Sequence, residues 1–469
     1  RAFDLGRPHL RVLMGAGSMK KTFALMLGAA FAALGGQALA QTAERPLHPE
    51  PAPVQVSDRP VVPPSDQPER IILNLTADPA HEMAVTWRTA PGAVGFVEYA
   101  EAQDGPDFIQ QAVRVTAVTD DATIAVREAA EFRAAYHSTV LKGLKPETVY
   151  AYRVGDGARW SEWLQFRTAA TTAKPFTFLY MGDMQNNILN EASRTMRMAF
   201  RKAGDAAFVI HAGDLINRHN SDNEWGEWFA AGGFLYAQTP QMPTPGNHEY
   251  GRGPVLSPQW RRQYTLPETG PAGVEQLKET AWTVDYQGLR LISIDAPLFH
   301  GDEVMRAEMV GWLDGLLADN PNRWTVLFLH FPLFSIDPDR DNSRVRDALK
   351  PLIDKYGVDL VLQAHDHGYA RGAIGTGPMD NAGPDTPSDH GSTYVVSVAG
   401  PKMYPIADLG WATHSAARTQ TYQTLEVSPD SVVYRAFTAT GREVDSFRLT
   451  KGADGVAQVE NLTADSPHE

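Results

Sequence analysis

Cysteine is absent from all 469 residues, which excludes disulfides, thiolate nucleophiles, iron–sulfur clusters and a lipidated cysteine anchor. Any metal must therefore rest on His, Asp, Glu, Asn or Gln. Basic residues are also short: 42 Lys and Arg stand against 56 Asp and Glu, a formal net charge of −14. That balance argues against a nucleic-acid or anionic-membrane partner held by bulk electrostatics, and an anionic substrate needs a local source of positive charge. Equally missing are a Gly-x-Ser-x-Gly elbow, a Gly-x-x-x-x-Gly-Lys-Ser/Thr loop and a His-Glu-x-x-His helix. Their absence removes the common serine hydrolases, P-loop enzymes and zincin proteases.

Long apolar runs are lacking except at one place. Met19-Lys20-Lys21 precedes an apolar run from Phe23 to Leu34, followed by Ala38-Leu39-Ala40. A basic start, a hydrophobic centre and a small-residue cleavage site are the order of a secretory signal peptide. The run is too short for a comfortable membrane span. Residues 1–40 are thus read as upstream sequence and signal peptide, which predicts a periplasmic or secreted protein with no stable membrane anchor after cleavage.

What remains is long enough for two or three domains. Residues 41–69 carry eight prolines and little apolar periodicity, which predicts an extended linker. Residues 70–168 hold short alternating runs such as Met83-Ala84-Val85-Thr86-Trp87 and Gly95-Phe96-Val97-Glu98-Tyr99, the pattern of a small antiparallel sandwich. Tyr136 to Tyr150 resembles a strand, turn and strand of a fibronectin type III domain. From 174 to 447 apolar strands alternate with helices, an α/β layer architecture. Met305, Met309, Trp312, Leu313 and Leu316 mark one helix, and Val345, Leu349, Leu352, Ile353 and Tyr356 another that ends at Gly357. Residues 448–469 read as a C-terminal tail.

Chemistry gathers where the strands stop. Phe176–Tyr180 runs into Gly182-Asp183, Ala207–Ile210 into Gly213-Asp214, and Met242–Pro245 into Gly246-Asn247-His248-Glu249. Thr325–Leu329 ends in His330, and Val358–Leu362 leads to His365-Asp366-His367. Five strands thus deliver Asp, Asp, Asn, His and a His-x-His pair to the rim where α/β sheets bind ligands. Carboxylate, amide oxygen and neutral imidazole together suit two divalent ions of Fe, Mn or Zn, whereas a calcium cage would use oxygen alone. Such a pair clamps a phosphoryl group, lowers the pKa of bound water and supplies the missing positive charge. Arg218, Tyr250, Arg252 and Arg371 follow these motifs and are candidate substrate contacts.

The ordered motifs resemble those of the calcineurin-like metallophosphoesterases, and the β domain ahead of them extends the likeness to the purple acid phosphatases. The resemblance implies a sandwich of two mixed sheets flanked by helices, preceded by the fibronectin III-like domain. It implies that Asp183, Gln185, Asp214 and His367 hold a first metal. Asp214 would bridge to a second, completed by Asn247, His330 and His365. Metal-bound hydroxide would attack the phosphorus while His248 protonates the leaving group, with Asp214 and His248 as the catalytic pair and no covalent enzyme intermediate. The substrate is then a small phosphate monoester. A phosphodiester is the alternative within the same chemistry, and a secreted binding or adhesion module with a decayed site is the alternative from another class. Two departures bear on the first metal. Asp183-Met184-Gln185 stands where many relatives have Asp-x-His, and Asn217 stands where purple acid phosphatases have the tyrosine that binds ferric iron. Either the Gln185 amide oxygen stands in for imidazole or Gln185 does not bind; a harder, weaker first site and no purple colour are the expectations.

Overall fold

The computed structural model describes residues 62–463 apart from 125–130, 338, 376–387, 407–409 and 454. The signal-peptide reading and the linker up to residue 61 therefore lie outside the described residues. Among those described, no helix is long and apolar enough to cross a membrane.

Eight strands build the N-terminal domain: β1 (Glu69–Asn74), β2 (Glu82–Thr89), β3 (Phe96–Glu101), β4 (Val113–Thr116), β5 (Val118–Ile124), β6 (Phe132–Lys142), β7 (Val149–Gly155) and β8 (Leu164–Arg167). They pair antiparallel as two four-stranded sheets, β1-β2-β6-β5 and β4-β3-β7-β8. Alternation sends Met83, Val85 and Trp87 of one sheet and Val97, Tyr152 and Val154 of the other into one core. The Tyr150 hydroxyl accepts the Lys145 N–H at 2.8 Å and ties down the turn between β6 and β7.

The larger domain holds two seven-stranded sheets. The first is assembled from β9 (Phe176–Met181), β10 (Val209–His211) and β11 (Gln241–Pro243), which run parallel, and from a late antiparallel meander. A short hairpin, β12 (Tyr250–Gly251) and β13 (Val255–Leu256), stands apart from both. In the second sheet β14 (Trp282–Tyr286) flanks β15 (Leu289–Ile294), β16 (Trp324–Leu329), β17 (Leu360–Gln363), β18 (Tyr369–Ile374), β19 (Ser392–Val396) and β20 (His414–Ala416), in the order β14-β15-β16-β17-β19-β18-β20. The meander of β21 (Thr421–Val427), β22 (Ser431–Thr438), β23 (Glu443–Lys451) and β24 (Ala457–Asn461) completes the first sheet as β11-β10-β9-β21-β22-β23-β24.

Strand periodicity explains the layers. Leu289, Leu291, Val326, Phe328, Leu360 and Leu362 turn toward the first sheet, in one core with Phe178 and Tyr180. The alternate residues Ile292, Leu327, Leu329 and Val361 turn outward. There they meet α helices: Ala296–Gly301, Glu303–Ala318 and Ser343–Tyr356. Both helices expected from spacing are present. Asp302 caps the start of Glu303–Ala318 by accepting from the Val304 and Met305 N–H groups, and Gly357 ends the other at φ +65°. Two mixed sheets flanked by helices are thus the observed architecture, as anticipated.

One boundary needs correction. The expected tail begins too early, because β23 runs through to Lys451 and β24 adds an edge strand ending at Asn461. The alternation that buries Phe447 and Leu449 continues past the last chemical motif. A boundary drawn where the motifs stop therefore cuts the domain short.

Candidate metal centre

Parallel strands place their C-terminal ends along one rim, and each candidate ligand stands on the turn that leaves such an end. Asp183 follows β9, Asp214 follows β10, Asn247 follows β11, His330 follows β16, and His365 and His367 follow β17. Four of them, Asp183, Asp214, His365 and His367, have left-handed backbone with φ between 44° and 74°. Non-glycine residues rarely adopt it, and its concentration here is strain held by the surrounding fold at a site of function. Two glycines permit the close approach. A Cβ on Gly213 would lie 2.6 Å from the Gly246 nitrogen, and one on Gly246 would lie 2.2 Å from an Asp214 carboxylate oxygen.

The side chains converge as two groups of three that share one carboxylate: Asp183, Asp214 and His367, and Asp214, His330 and His365. Each group brings three ligand atoms within 4.8 Å of one another. Around the second group, His330 Nε2 lies 3.1 Å from each of Asp214 Oδ2, Asn247 Oδ1 and His365 Nδ1. Around the first, Gln185 Nε2 lies 3.0 Å from Asp214 Oδ2 and 3.1 Å from His367 Nε2. Every candidate ligand named in the sequence thus meets at one place, Gln185 through its amide nitrogen.

This arrangement fits a pair of cations. Asp183, Gln185, Asp214, His330 and His367 are each at most 1% exposed. Among the described residues no Lys or Arg makes an ion pair with either carboxylate, and burying two carboxylates so is costly unless an ion compensates. Asp183 Oδ1 and Gln185 Oε1 are buried without a hydrogen-bond partner. The imidazoles are turned for coordination: His330 Nδ1 donates to the Ala212 carbonyl at 2.9 Å, and His367 Nδ1 donates to the Lys402 carbonyl at 2.9 Å. Each leaves its Nε2 lone pair facing the site, the backbone bond fixing the tautomer. Burial opposes charge on His330, but Asp214 and Asp183 outweigh it and hold the ring at about 9. Without metal a proton therefore stands where a cation belongs, and loading must displace it. Burial and then the Lys402 ammonium push His367 down to about 3, which keeps that ring a neutral ligand.

Supporting residues hold the loops. Glu249, fully buried, accepts N–H bonds from Asp214, Leu215, Ile216 and Gly246 at 2.7–3.3 Å. It ties the Gly-Asp turn to the Gly-Asn-His-Glu turn. Between the two metal-facing histidines, Asp366 points away and accepts from Ser335 Oγ and the Ile336 N–H, with Arg340 as its ion partner. His248 donates through Nδ1 to the Asn217 carbonyl at 2.6 Å, while its Nε2 stands 3.8 Å from Asp214 Oδ2. Its side chain is 26% exposed, so the ring opens to solvent beside the shared carboxylate.

The candidate substrate contacts fare differently. Arg371 is corrected outright: it lies within β18, 1% exposed, with its guanidinium on Asp445 at 2.7 and 2.9 Å and on Asn461 at 2.8 Å. It pins the second sheet to the edge of the first. Arg218 is paired with Glu224 at 2.7 Å, and the Tyr250 hydroxyl donates to Asp295 at 2.5 Å, so both shape the loop around His248. Arg252 is exposed between β12 and β13. Three neighbours were not singled out by sequence. Phe331 packs at a tilt against His365 at 4.6 Å and His330 at 5.4 Å, and Tyr404 against His367 at 4.5 Å, with Lys402 beside it. Phe331 directly follows a ligand and was findable; Lys402 and Tyr404 belong to a loop without a motif.

Comparison with known proteins agrees with this geometry. The family model described as the purple acid phosphatase N-terminal domain matches residues 68–168, and that of the calcineurin-like phosphoesterases matches residues 176–369. Acid phosphatase type 7 of Danio rerio is 29% identical over 347 residues, covering 66% of this chain and 72% of the relative. Purple acid phosphatase 18 of Arabidopsis thaliana is 23% identical over 337 residues, covering 68% and 70%. A purple acid phosphatase from yellow lupin (Lupinus luteus) seeds shares the fold, with a TM-score of 0.69 at 18% identity over 83% of this chain and 75% of that one. With both family models matched in order, residues 68–168 are a purple acid phosphatase N-terminal domain and residues 176–369 belong to the calcineurin-like phosphoesterases, hydrolases of phosphoric esters, which in the purple acid phosphatases work with a dinuclear metal centre.

Proposed function

We propose that this chain is an exported phosphomonoesterase that releases inorganic phosphate from small organic esters. The observation that carries the reading is Asp214 shared between two ligand groups with His248 Nε2 beside it. Asp183, Gln185, Asp214 and His367 hold one divalent ion, and Asp214, Asn247, His330 and His365 the other, of Fe, Mn or Zn. When bound, the pair supplies the positive charge that binds a phosphoryl group and makes water acidic enough to attack it near neutral pH. The protein does the rest by position. Asp214 is fixed by the His248 N–H at 2.9 Å and, through its own N–H, by Glu249 at 2.9 Å. His248, oriented by the Asn217 carbonyl, keeps Nε2 as the atom that gives a proton to the departing alcohol oxygen. Export rests on the order of charge, apolar run and small residues at 19–40.

The test is hydrolysis of a chromogenic monoester and a chromogenic diester by the mature protein, stripped of metal and reloaded in turn with Mn²⁺, Fe²⁺ and Zn²⁺. Metal-dependent turnover with the monoester preferred is expected. Preference for the diester would overturn the monoester reading and leave the metal chemistry intact.

A further inference from the structure

The two flanks of the metal centre differ in charge. Beside His330 and His365 the wall is Phe331, an apolar ring. Beside His367 it is the loop after β19, clamped to the first metal site along its backbone. Gly400 N–H donates to the Asp183 carbonyl at 2.9 Å, the Lys402 carbonyl accepts from His367 Nδ1 at 2.9 Å, and Tyr404 N–H donates to the His367 carbonyl at 3.1 Å. Gly400 has no room for a side chain, since its Cβ would lie 2.3 Å from the Asp183 carbonyl oxygen. The backbone of Lys402 and Tyr404 is therefore tied to the turns that carry Asp183 and His367.

Two other cations near the rim are engaged, and Arg252 is exposed on the β12–β13 hairpin. Arg218 is paired with Glu224, and Arg340 with Asp366 and Asp337. Among the described residues no carboxylate lies within ion-pair distance of the Lys402 ammonium. Half-buried, it stands 5.2 Å from the centre of the Tyr404 ring, which itself packs on His367, and its charge reaches both Asp183 and His367. A lysine beside the first metal site repels a cation there and gains nothing from the ligands once they are neutralised. Its placement makes physical sense if a further anion arrives there.

We propose that Lys402 binds the phosphoryl group of the substrate and reads the second negative charge that distinguishes a phosphate monoester from a diester. The proposal rests on the phosphomonoesterase reading above and deepens it. A terminal phosphate carries two charges near neutral pH and offers three oxygens, whereas a diester carries one charge and two free oxygens. A charge-assisted hydrogen bond from Nζ therefore favours the monoester, and it favours released inorganic phosphate for the same reason.

The test compares the metal-loaded full chain with Lys402→Gln and Lys402→Arg on p-nitrophenyl phosphate and bis(p-nitrophenyl) phosphate, with inorganic phosphate as inhibitor and metal content measured in each protein. In Lys402→Gln, kcat/KM for the monoester is expected to fall about tenfold or more, the usual scale for a hydrogen bond to a charged group. The diester value should change less than about threefold, since it lacks the second charge. Phosphate inhibition should weaken in parallel with the monoester loss, metal content should hold, and Lys402→Arg should recover most of the difference. An unchanged monoester-to-diester ratio in Lys402→Gln, or its loss of metal, would overturn the role of Lys402 alone. A wild-type preference for the diester would instead overturn the reading on which the proposal stands.

Discussion

Two buried charge clusters in this molecule look alike by composition and differ in what neutralises them. At the junction of the two domains, Asp222 is almost fully buried, yet both oxygens are met by guanidinium groups, Arg70 at 2.9 Å and Arg88 at 3.1 Å. At the rim, Asp183 and Asp214 are equally buried, but no guanidinium or ammonium pairs with either among the described residues, and imidazoles surround them instead. The first cluster is complete and joins β1 and β2 to the helix Asp222–Gly232 that carries Asp222 at its start. The second is complete only with ions. Buried carboxylates thus report structure when a strong base closes on them, and a metal site when neutral donors do. Arg371 and Asp445 repeat the first pattern, which is why an arginine two residues past a strand start, so close to the His-x-His pair, proves to be scaffold.

The sharpest way to break the comparison is to damage each cluster and read both activity and stability. Asp214→Ala is expected to abolish phosphatase turnover, by about four orders of magnitude or more, because several kcal/mol of charge stabilisation goes with both ions; a chromogenic ester assay reads it. His248→Ala should lower kcat by about 10²–10³-fold with the metals retained, the scale of a lost general acid. Alkaline activity on an ester with a very acidic leaving phenol should suffer least, as that group departs without a proton. Asp222→Asn should leave metal content and turnover per folded molecule unchanged while costing about 3–5 kcal/mol of stability in urea unfolding, since Arg70 and Arg88 lose their shared counter-ion.

Acid sharpens a similar contrast between the domain junction and the N-terminal domain. Burial pushes Asp222 up, but Arg70 and Arg88 outweigh it and hold its carboxyl below the ordinary 3.8. Its contribution is complete above that value and disappears only as pH falls through the lower folded pKa. His137 behaves otherwise. Stacked on Trp87 at 5.1 Å and bonded to Thr89 and Thr119, it is pushed by burial from 6.5 to about 4. The unfolded chain then binds the extra proton, so stability falls as pH drops from 6.5 toward 4. A shallow decline in Tm over that window, reduced in His137→Gln, is the smallest of these effects.

Much of the site was legible because each ligand ends an apolar strand, and one-dimensional order is enough to show that. Asp183, Asp214, Asn247, His330, His365 and His367 were named from such positions, and the structure brings all of them together. Helices Glu303–Ala318 and Ser343–Tyr356 were legible from apolar spacing and, for the second, from its terminal glycine. What sequence could not show was partnership. Arg371 and Arg218 sit near motifs in the chain, but Asp445 lies 74 positions away from the first, and Glu224 claims the second across a single turn. Lys402 reaches the centre only because β19 returns beside β17 and delivers its loop to His367. The misplaced tail has a similar origin, since Asn461 matters through Arg371, not through any motif of its own.

The central claim is that one carboxylate, Asp214, serves both ions. The most direct test is metal content per chain by elemental analysis of wild type, His367→Ala and Asp214→Ala after identical loading with Mn²⁺ and removal of free ion. The account predicts about two ions in the wild type, about one in His367→Ala and none in Asp214→Ala. An Asp214→Ala protein that is folded and still holds either ion would contradict it.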